Sequence, residues 1–289
     1  QTATSNAFQN KAFGEANKSN AQIIALQEFD SMVDQLKRIG VNVIVIEDTF
    51  EPSTPDSIFP NNWISFHENG TIVTYPMQAE NRRLERRNDI IEYLEKQFTV
   101  NNKIDLTYFE SDNKFLEGTG SMVLDRTNKI AYACISPRTN LEVLNEFGRT
   151  LGYEIVAFNA LDGESRQIYH TNVLMCIGSF VAVICLEAIP NLDERNLVKS
   201  KLEKSGKRVV EITLEQMNNF AGNMLEVEGK DKIKYLVMSS SAYYSLTHQQ
   251  IDILDDYCVL MHFDLSMIEG NGGGSARCMM AEIFLPREE

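Results

Sequence analysis

The sequence predicts an α/β fold of a particular kind, a five-bladed α/β propeller built from pseudo-fivefold ββαβ repeats around a central channel. Three observations predict it. A helix followed by a strand recurs five times along the chain. Polar or glycine-bearing turns fall at a nearly fixed spacing: 58 residues from Asn62 to Gly120, then 52 to Asn172, 51 to Asn223 and 55 to Cys278. No Pro/Gly-rich linker interrupts the series. Self-similarity at a fixed period is the signature of a repeat architecture, in which no unit buries its own sheet face and neighbours share a core. One domain spanning residues 1–289 is therefore expected.

The elements follow in order. Ser19-Asn20 are expected to cap a helix whose apolar positions (Ile23, Ile24, Leu26, Phe29, Met32, Val33, Leu36) keep helical spacing. It closes on Lys37-Arg38-Ile39-Gly40, and Val41–Ile46 reads as a strand. The same sentence recurs at Leu141–Gly152 with Tyr153–Phe158, Leu192–Gly206 with Val209–Ile212, and His248–Asp256 with Cys258–Phe263. A helix over Arg82–Phe98 leads into a strand at Ile104–Phe109, and Met279–Leu285 reads as a buried strand. The N-terminal helix and strand are expected to complete the fifth unit, which that C-terminal strand begins.

Composition narrows the function classes. At 43% apolar residues the chain can build a sizeable core, and no run approaches the ~18 apolar residues of a membrane span. A net charge of −14 argues against nucleic acid and anionic membrane as partners, since both need basic faces. The five cysteines lack a Cys-x-x-Cys and suit reduced thiols in a cytoplasm better than a disulfide framework. No metal-ligand spacing stands out: Cys258 and His262 sit in a strand-like run where packing is the better account. Neither metal nor cofactor is expected.

The turn landmarks carry the chemistry. If they face one channel, it receives Asp56, Asn61 and Asn62 from Pro55-Asp-Ser-Ile-Phe-Pro-Asn-Asn, Glu117 from Leu116-Glu-Gly-Thr-Gly, His170 and Asn172 from His-Thr-Asn, Asn223, and Cys278 from Gly272-Gly-Gly-Ser-Ala-Arg-Cys. Taken one at a time, Cys278 reads as a buried structural cysteine, His170 as a hydrogen-bonded histidine and the asparagines as turn residues. A dinucleotide loop is excluded at Gly272–Gly274, because that fingerprint must open a helix after a strand. Together, a cysteine, a histidine and a carboxylate on separate turns form a nucleophile, base and orienter set. Arg277 and the turn's backbone N–H groups are expected to favour the Cys278 thiolate. Glu117 is expected to orient the His170 imidazole and favour its charged form.

These motifs resemble the guanidine-modifying pentein superfamily: arginine deiminases, dimethylarginine dimethylaminohydrolases and glycine amidinotransferases. Pro55-Asp-Ser-Ile-Phe-Pro-Asn-Asn is similar to the Pro-Asp-x-Val-Phe-x-Glu-Asp of the dimethylargininases, and Leu116-Glu-Gly-Thr-Gly to Leu-(Asp/Glu)-Gly-Gly-Asp. His170-Thr-Asn resembles the His-x-Asp of the deiminases, and the Gly-Gly-Gly…Arg-Cys run their cysteine motif. Phe-Pro-Asn-Asn-Trp and His-Thr-Asn bring the chain nearest to the citrulline-utilisation hydrolase branch. The resemblance implies Cys278 as covalent nucleophile, His170 as general acid/base, Glu117 as its partner, and Arg82 and Arg138 as holders of a substrate α-carboxylate. It also implies a small amino-acid substrate, leaves a homodimer open, and leads us to expect one further strand upstream of Gln1.

One departure bears on substrate. Deiminases clamp a guanidinium with two aspartates, where this chain has Asn62 and Asn172; the Leu-Glu-Gly motif also ends in Gly120 instead of aspartate. A buried guanidinium against neutral amides is left uncompensated, whereas a ureido carbonyl wants the donor that an amide offers. Citrulline is thus the first expectation. A guanidinium substrate (deiminase, dimethylargininase or amidinotransferase chemistry) and a non-catalytic binding module are the alternatives.

Overall fold

The computed structural model describes residues 18–287. Helix α1 (Lys18–Arg38) opens it. Ser19 and Asn20 already lie inside the helix, so the capping expected of them is not found. The first unit is a 3-10 turn at Pro60–Asn62, β1 (Ile64–Phe66), β2 (Thr71–Thr74), α2 (Glu80–Arg83), α3 (Asn88–Glu95) and β3 (Asn102–Asp105). The second runs α4 (Gly118–Ser121), β4 (Val123–Asp125), β5 (Ile130–Cys134), α5 (Leu141–Leu151) and β6 (Glu154–Phe158). The third runs α6 (Thr171–Leu174), β7 (Met175–Ile177), β8 (Val181–Ile184), α7 (Leu192–Lys204) and β9 (Arg208–Glu211). The fourth runs α8 (Leu214–Asn218), β10 (Leu225–Glu228), β11 (Lys234–Ser239), α9 (Ser240–Ser245), α10 (His248–Asp255) and β12 (Val259–Phe263), after which α11 (Ser266–Gly272) leads to the cysteine.

Each unit forms one three-stranded sheet of the same topology. Its first two strands are an antiparallel hairpin, and the third joins the central strand in parallel after a helical crossover, as in Tyr132↔Val123 and Tyr132↔Val156. The central strands are the apolar ones: Ile130–Cys134 and Val181–Ile184 are buried at every position. Such runs lack polar alternation because both faces are covered.

The apolar clusters pass from unit to unit. One joins the second, third and fourth sheets, and another joins the first and second. A third packs α1 and Cys278 on the fourth unit, and the last packs Ala281, Ile283 and Leu285 on the first.

The expected fifth sheet is not found among the described residues. Neither Val41–Ile46 nor Met279–Leu285 is a strand. Both segments line one cleft of about 790 Å³.

Two other expectations are corrected. The helix expected over Arg82–Phe98 is split into α2 and α3 by extended backbone at Arg87 (φ −101°, ψ 117°). The strand expected over Ile104–Phe109 stops at Asp105, whose carboxylate accepts the Thr107 N–H at 2.9 Å and turns the chain into a 3-10 segment. Among the described residues no helix is long and apolar enough to cross a membrane, and no cluster of His, Cys, Asp or Glu could hold a metal ion.

Candidate active site

The glycine run delivers Cys278 by a chain of fixed contacts. Gly273 ends α11 in the left-handed conformation (φ 65°), where a side chain would be strained, and its N–H bonds the Glu269 carbonyl at 2.9 Å. The Ser275 hydroxyl donates to Glu269 Oε1 at 2.6 Å, and the Ser275 carbonyl accepts the Cys278 N–H at 2.9 Å. Tyr169 donates its phenol to the Gly273 carbonyl at 2.9 Å, tying this turn to the histidine turn. Cys278 ends 7% exposed.

Two carboxamides meet its sulfur. Asn172 Nδ2 lies 3.3 Å and Asn223 Nδ2 3.2 Å from Sγ. Asn223 is fixed on every side, since Oδ1 accepts the Arg277 N–H at 3.1 Å and Nδ2 also donates to the Asn172 carbonyl at 2.8 Å. The sequence marked Asn223 only as a turn landmark; its place in the repeat was the available signal. Burial pushes the thiols of Cys134, Cys176 and Cys258 up to about 12 and that of Cys185 to about 11, so those four stay protonated.

His170 and Glu117 are paired as expected, with Nε2 to Oε2 at 2.8 Å. Glu117 is fully buried; Oε1 accepts the Gln78 N–H at 3.0 Å and Oε2 lies 3.3 Å from Arg138 Nη1. Burial alone would raise its pKa. The Arg138 guanidinium, the His170 hydrogen bond and Arg82 instead hold it far below the carboxylate range. Burial lowers His170 to about 4, against the opposing pull of Glu117. Glu117 favours the charged imidazole, as expected, but desolvation outweighs it and the resting imidazole is neutral.

The arginines are anchored by protein groups. Arg82 is 2% exposed and spends its guanidinium on Glu85 (2.8 and 2.9 Å), Asn62 Oδ1 (2.7 Å) and the carbonyls of Asp56 and Phe59 (both 3.3 Å). Arg138 is 1% exposed, pairs with Glu117 and lies over the Tyr169 ring at 5.0 Å. Arg277 pairs with Glu282 at 3.0 Å and the Met280 carbonyl at 3.0 Å, so its charge is directed to Glu282 and away from the role expected beside the thiol. Glu85 was missed; its spacing of three from Arg82 was the signal.

The remaining predicted residues come together. Asp56, Asn61, Asn62 and Asn172 are all buried. Neither polar atom of the Asn61 carboxamide has a hydrogen-bond partner, nor do Asn62 Nδ2 and Asn172 Oδ1. Gly118 (φ 47°) lets the Glu117 turn press on this loop: a Cβ there would stand 2.3 Å from the Asn61 carbonyl. A Cβ on Gly120 would stand 2.3 Å from Asn62 Nδ2 and 2.9 Å from His170 Nδ1, so the missing side chain keeps open the space beside the imidazole. The residues present offer a nucleophile, a proton-transfer group and unpaired amides, and no cofactor is required by this set.

Such a fold is that of the guanidine-modifying pentein superfamily. More narrowly, the chain belongs to the family described as N,N dimethylarginine dimethylhydrolase, eukaryotic, whose model matches residues 1–285. No curated protein is significantly similar in sequence.

Solved structures share the fold. ArgZ, an arginine dihydrolase from the ornithine-ammonia cycle in cyanobacteria, superposes with a TM-score of 0.70 at 17% identity, over 91% of this chain and 37% of that one. The chain thus spans little more than a third of full-length ArgZ. The N-terminal domain of ArgZ bound to substrate gives 0.70 at 17% identity over 91% and 89%. A dimethylarginine dimethylaminohydrolase adduct with S-methyl-L-thiocitrulline gives 0.63 at 16% identity over 89% and 87%.

Proposed function

We propose that the chain, read as one catalytic domain over 1–289, hydrolyses the ureido C–N bonds of an amino acid, with citrulline giving ornithine, carbon dioxide and ammonia. The observation that carries the substrate is the pair of asparagines flanking the site. Asn62 and Asn172 leave one unpaired donor, Nδ2, and one unpaired acceptor, Oδ1, where two carboxylates would offer acceptors only. A neutral O=C–NH₂ group matches that polarity.

The chemistry follows from the geometry. The Cys278 thiol, held by the two amide donors, passes its proton to the neutral His170 imidazole as Sγ attacks the ureido carbon, and His170 hands that proton on to the departing nitrogen. The resulting S-carbamoyl enzyme is attacked by water, His170 now accepting the proton, and the C–S bond breaks to return the thiolate. Carbamate released in this step decomposes to carbon dioxide and the amine or ammonia. Glu117 holds the imidazole throughout. Asp56 and Asn61 complete the substrate's surroundings.

A second reading is a guanidinium substrate, favoured by the family description and by the arginine dihydrolase among the similar structures; citrulline hydrolysis would be the later half of such a double hydrolysis. The test is ornithine and ammonia release from citrulline, arginine and methylated arginines, with Cys278→Ala as the blank. Ornithine from citrulline alone is expected. Turnover of an arginine to citrulline, with none of citrulline, would overturn the substrate and keep the cysteine chemistry.

A further inference from the structure

The orientation of Asn62 is decided by a buried ion pair behind it. Arg82 and Glu85 are 2% and 3% exposed and form a two-pronged pair at 2.8 and 2.9 Å. The remaining prong, Nη1, donates to Asn62 Oδ1 at 2.7 Å. A guanidinium can only donate, so the Asn62 oxygen must face Arg82 and its NH₂ must face the other way. That NH₂ is buried without a partner and points to the space over Gly120, beside His170 Nδ1. Arg82 also binds the carbonyls of Asp56 and Phe59, fixing the loop that carries Asn62.

We propose that Arg82, held by Glu85, is a positioning residue that determines specificity: it locks Asn62 with a donor facing the substrate, and so selects a ureido carbonyl over a guanidinium N–H. The inference rests on the reading of the Cys278 pocket as the substrate site.

The test is calorimetric binding of citrulline and arginine to the full chain carrying Cys278→Ala, so that turnover does not intervene. The parent is expected to prefer citrulline by tenfold or more. Replacing both partners (Arg82→Met with Glu85→Met) leaves no unpaired charge and is expected to reduce that preference at least tenfold. In an Asn62→Ala background the same pair of changes should move the ratio less than twofold, because the effect passes through Asn62. A merely structural role would lower both affinities alike and give the same change in both backgrounds, which overturns the proposal, as does binding of neither ligand.

Should the double variant fail to fold, Asn62→Asp serves instead. Its carboxylate still satisfies Arg82 but presents an acceptor, and preference should swing at least tenfold towards arginine; retained citrulline preference overturns the relay. Ornithine release by wild type is read separately. Selective citrulline binding without ornithine counts against hydrolysis alone, and ornithine release with an unchanged ratio counts against the relay alone.

Discussion

Gly120 is where one methyl group decides between two outcomes. The added carbon of Gly120→Ala would meet Asn62 Nδ2 at 2.3 Å and the His170 ring at 2.9 and 3.0 Å. These are side chains held from behind by Arg82 and Glu117, so neither can simply swing away. Displacement of reacting groups by an ångström costs on the order of 10²-fold in rate. The expected outcome is a loss of about that size in kcat/KM together with a lowered thermal melt, since overpacking a buried site costs roughly 1–3 kcal/mol, measured by ornithine release and circular dichroism. An activity within threefold of wild type would mean that the space beside His170 is not where substrate sits. The pairing of His170 with Glu117 was legible in the sequence because each occupies an equivalent turn of the repeat. The fates of Arg82, Arg138 and Arg277 were not, because a motif records which residue stands at a turn and says nothing of which neighbour it faces.

Between the residue and the molecule lie the helices that connect the strands of each sheet. Asn140 caps α5 by accepting the N–H groups of Glu142 and Val143, and α8 and α10 each begin with a Thr-x-x-Gln capping box. The two boxes interlock: Gln216 Nε2 donates to Gln250 Oε1 at 2.7 Å and Gln250 Nε2 to Gln216 Oε1 at 3.1 Å. Gln216 also reaches the Ser245 carbonyl at 2.8 Å. Loss of one helix cap costs about 1 kcal/mol. Gln216→Ala should cost more than Asn140→Ala, since it opens one box, strips a partner from the other and leaves the Ser245 carbonyl unpaired. Urea denaturation of the two variants checks this, and equal midpoints would show that the boxes act independently. These helices were readable from capping residues and glycine ends, whereas the break between α2 and α3 was not. Arg82 turns inward at that point to meet Glu85 and Asn62, and no local pattern announces a buried charge.

For the whole molecule, two buried histidines set the response to acid. His170 is lowered to about 4, by burial first and then against the pull of Glu117; His67, bonded to Ser65 at 2.9 Å, is lowered to about 3 by burial and by Arg126 and Lys129. Both pKa values lie below the unfolded value near 6.5, so between pH 6.5 and 4 the unfolded chain binds more protons than the folded one. Stability therefore rises with pH across that window and falls on acidification, by up to about 1.4 kcal/mol per pH unit for each histidine. Glu117, held low, adds a further loss once the pH falls below the ordinary carboxylate range. Burial raises Glu85 to about 7, so it opposes the histidines between the ordinary carboxylate value and pH 7. The test is therefore a difference: in urea midpoints at pH 7, 6 and 5, His67→Gln should lose less stability on acidification than wild type, and equal slopes would mean that the fold does not keep His67 neutral.

The sequence by itself determined the repeat, the four sheets that were found, the turns that meet and the family to which the chain belongs. Periodicity, glycine ends and turn spacing are local facts, written in residues a few positions apart. Tertiary structure alone decided that the segments expected to form a fifth sheet line a cleft without pairing, that His170 rests neutral, and that the arginines near the site hold protein groups in place. Those outcomes depend on burial and on partners brought together from distant turns. The same amide can present a donor or an acceptor, and only what stands behind it settles which.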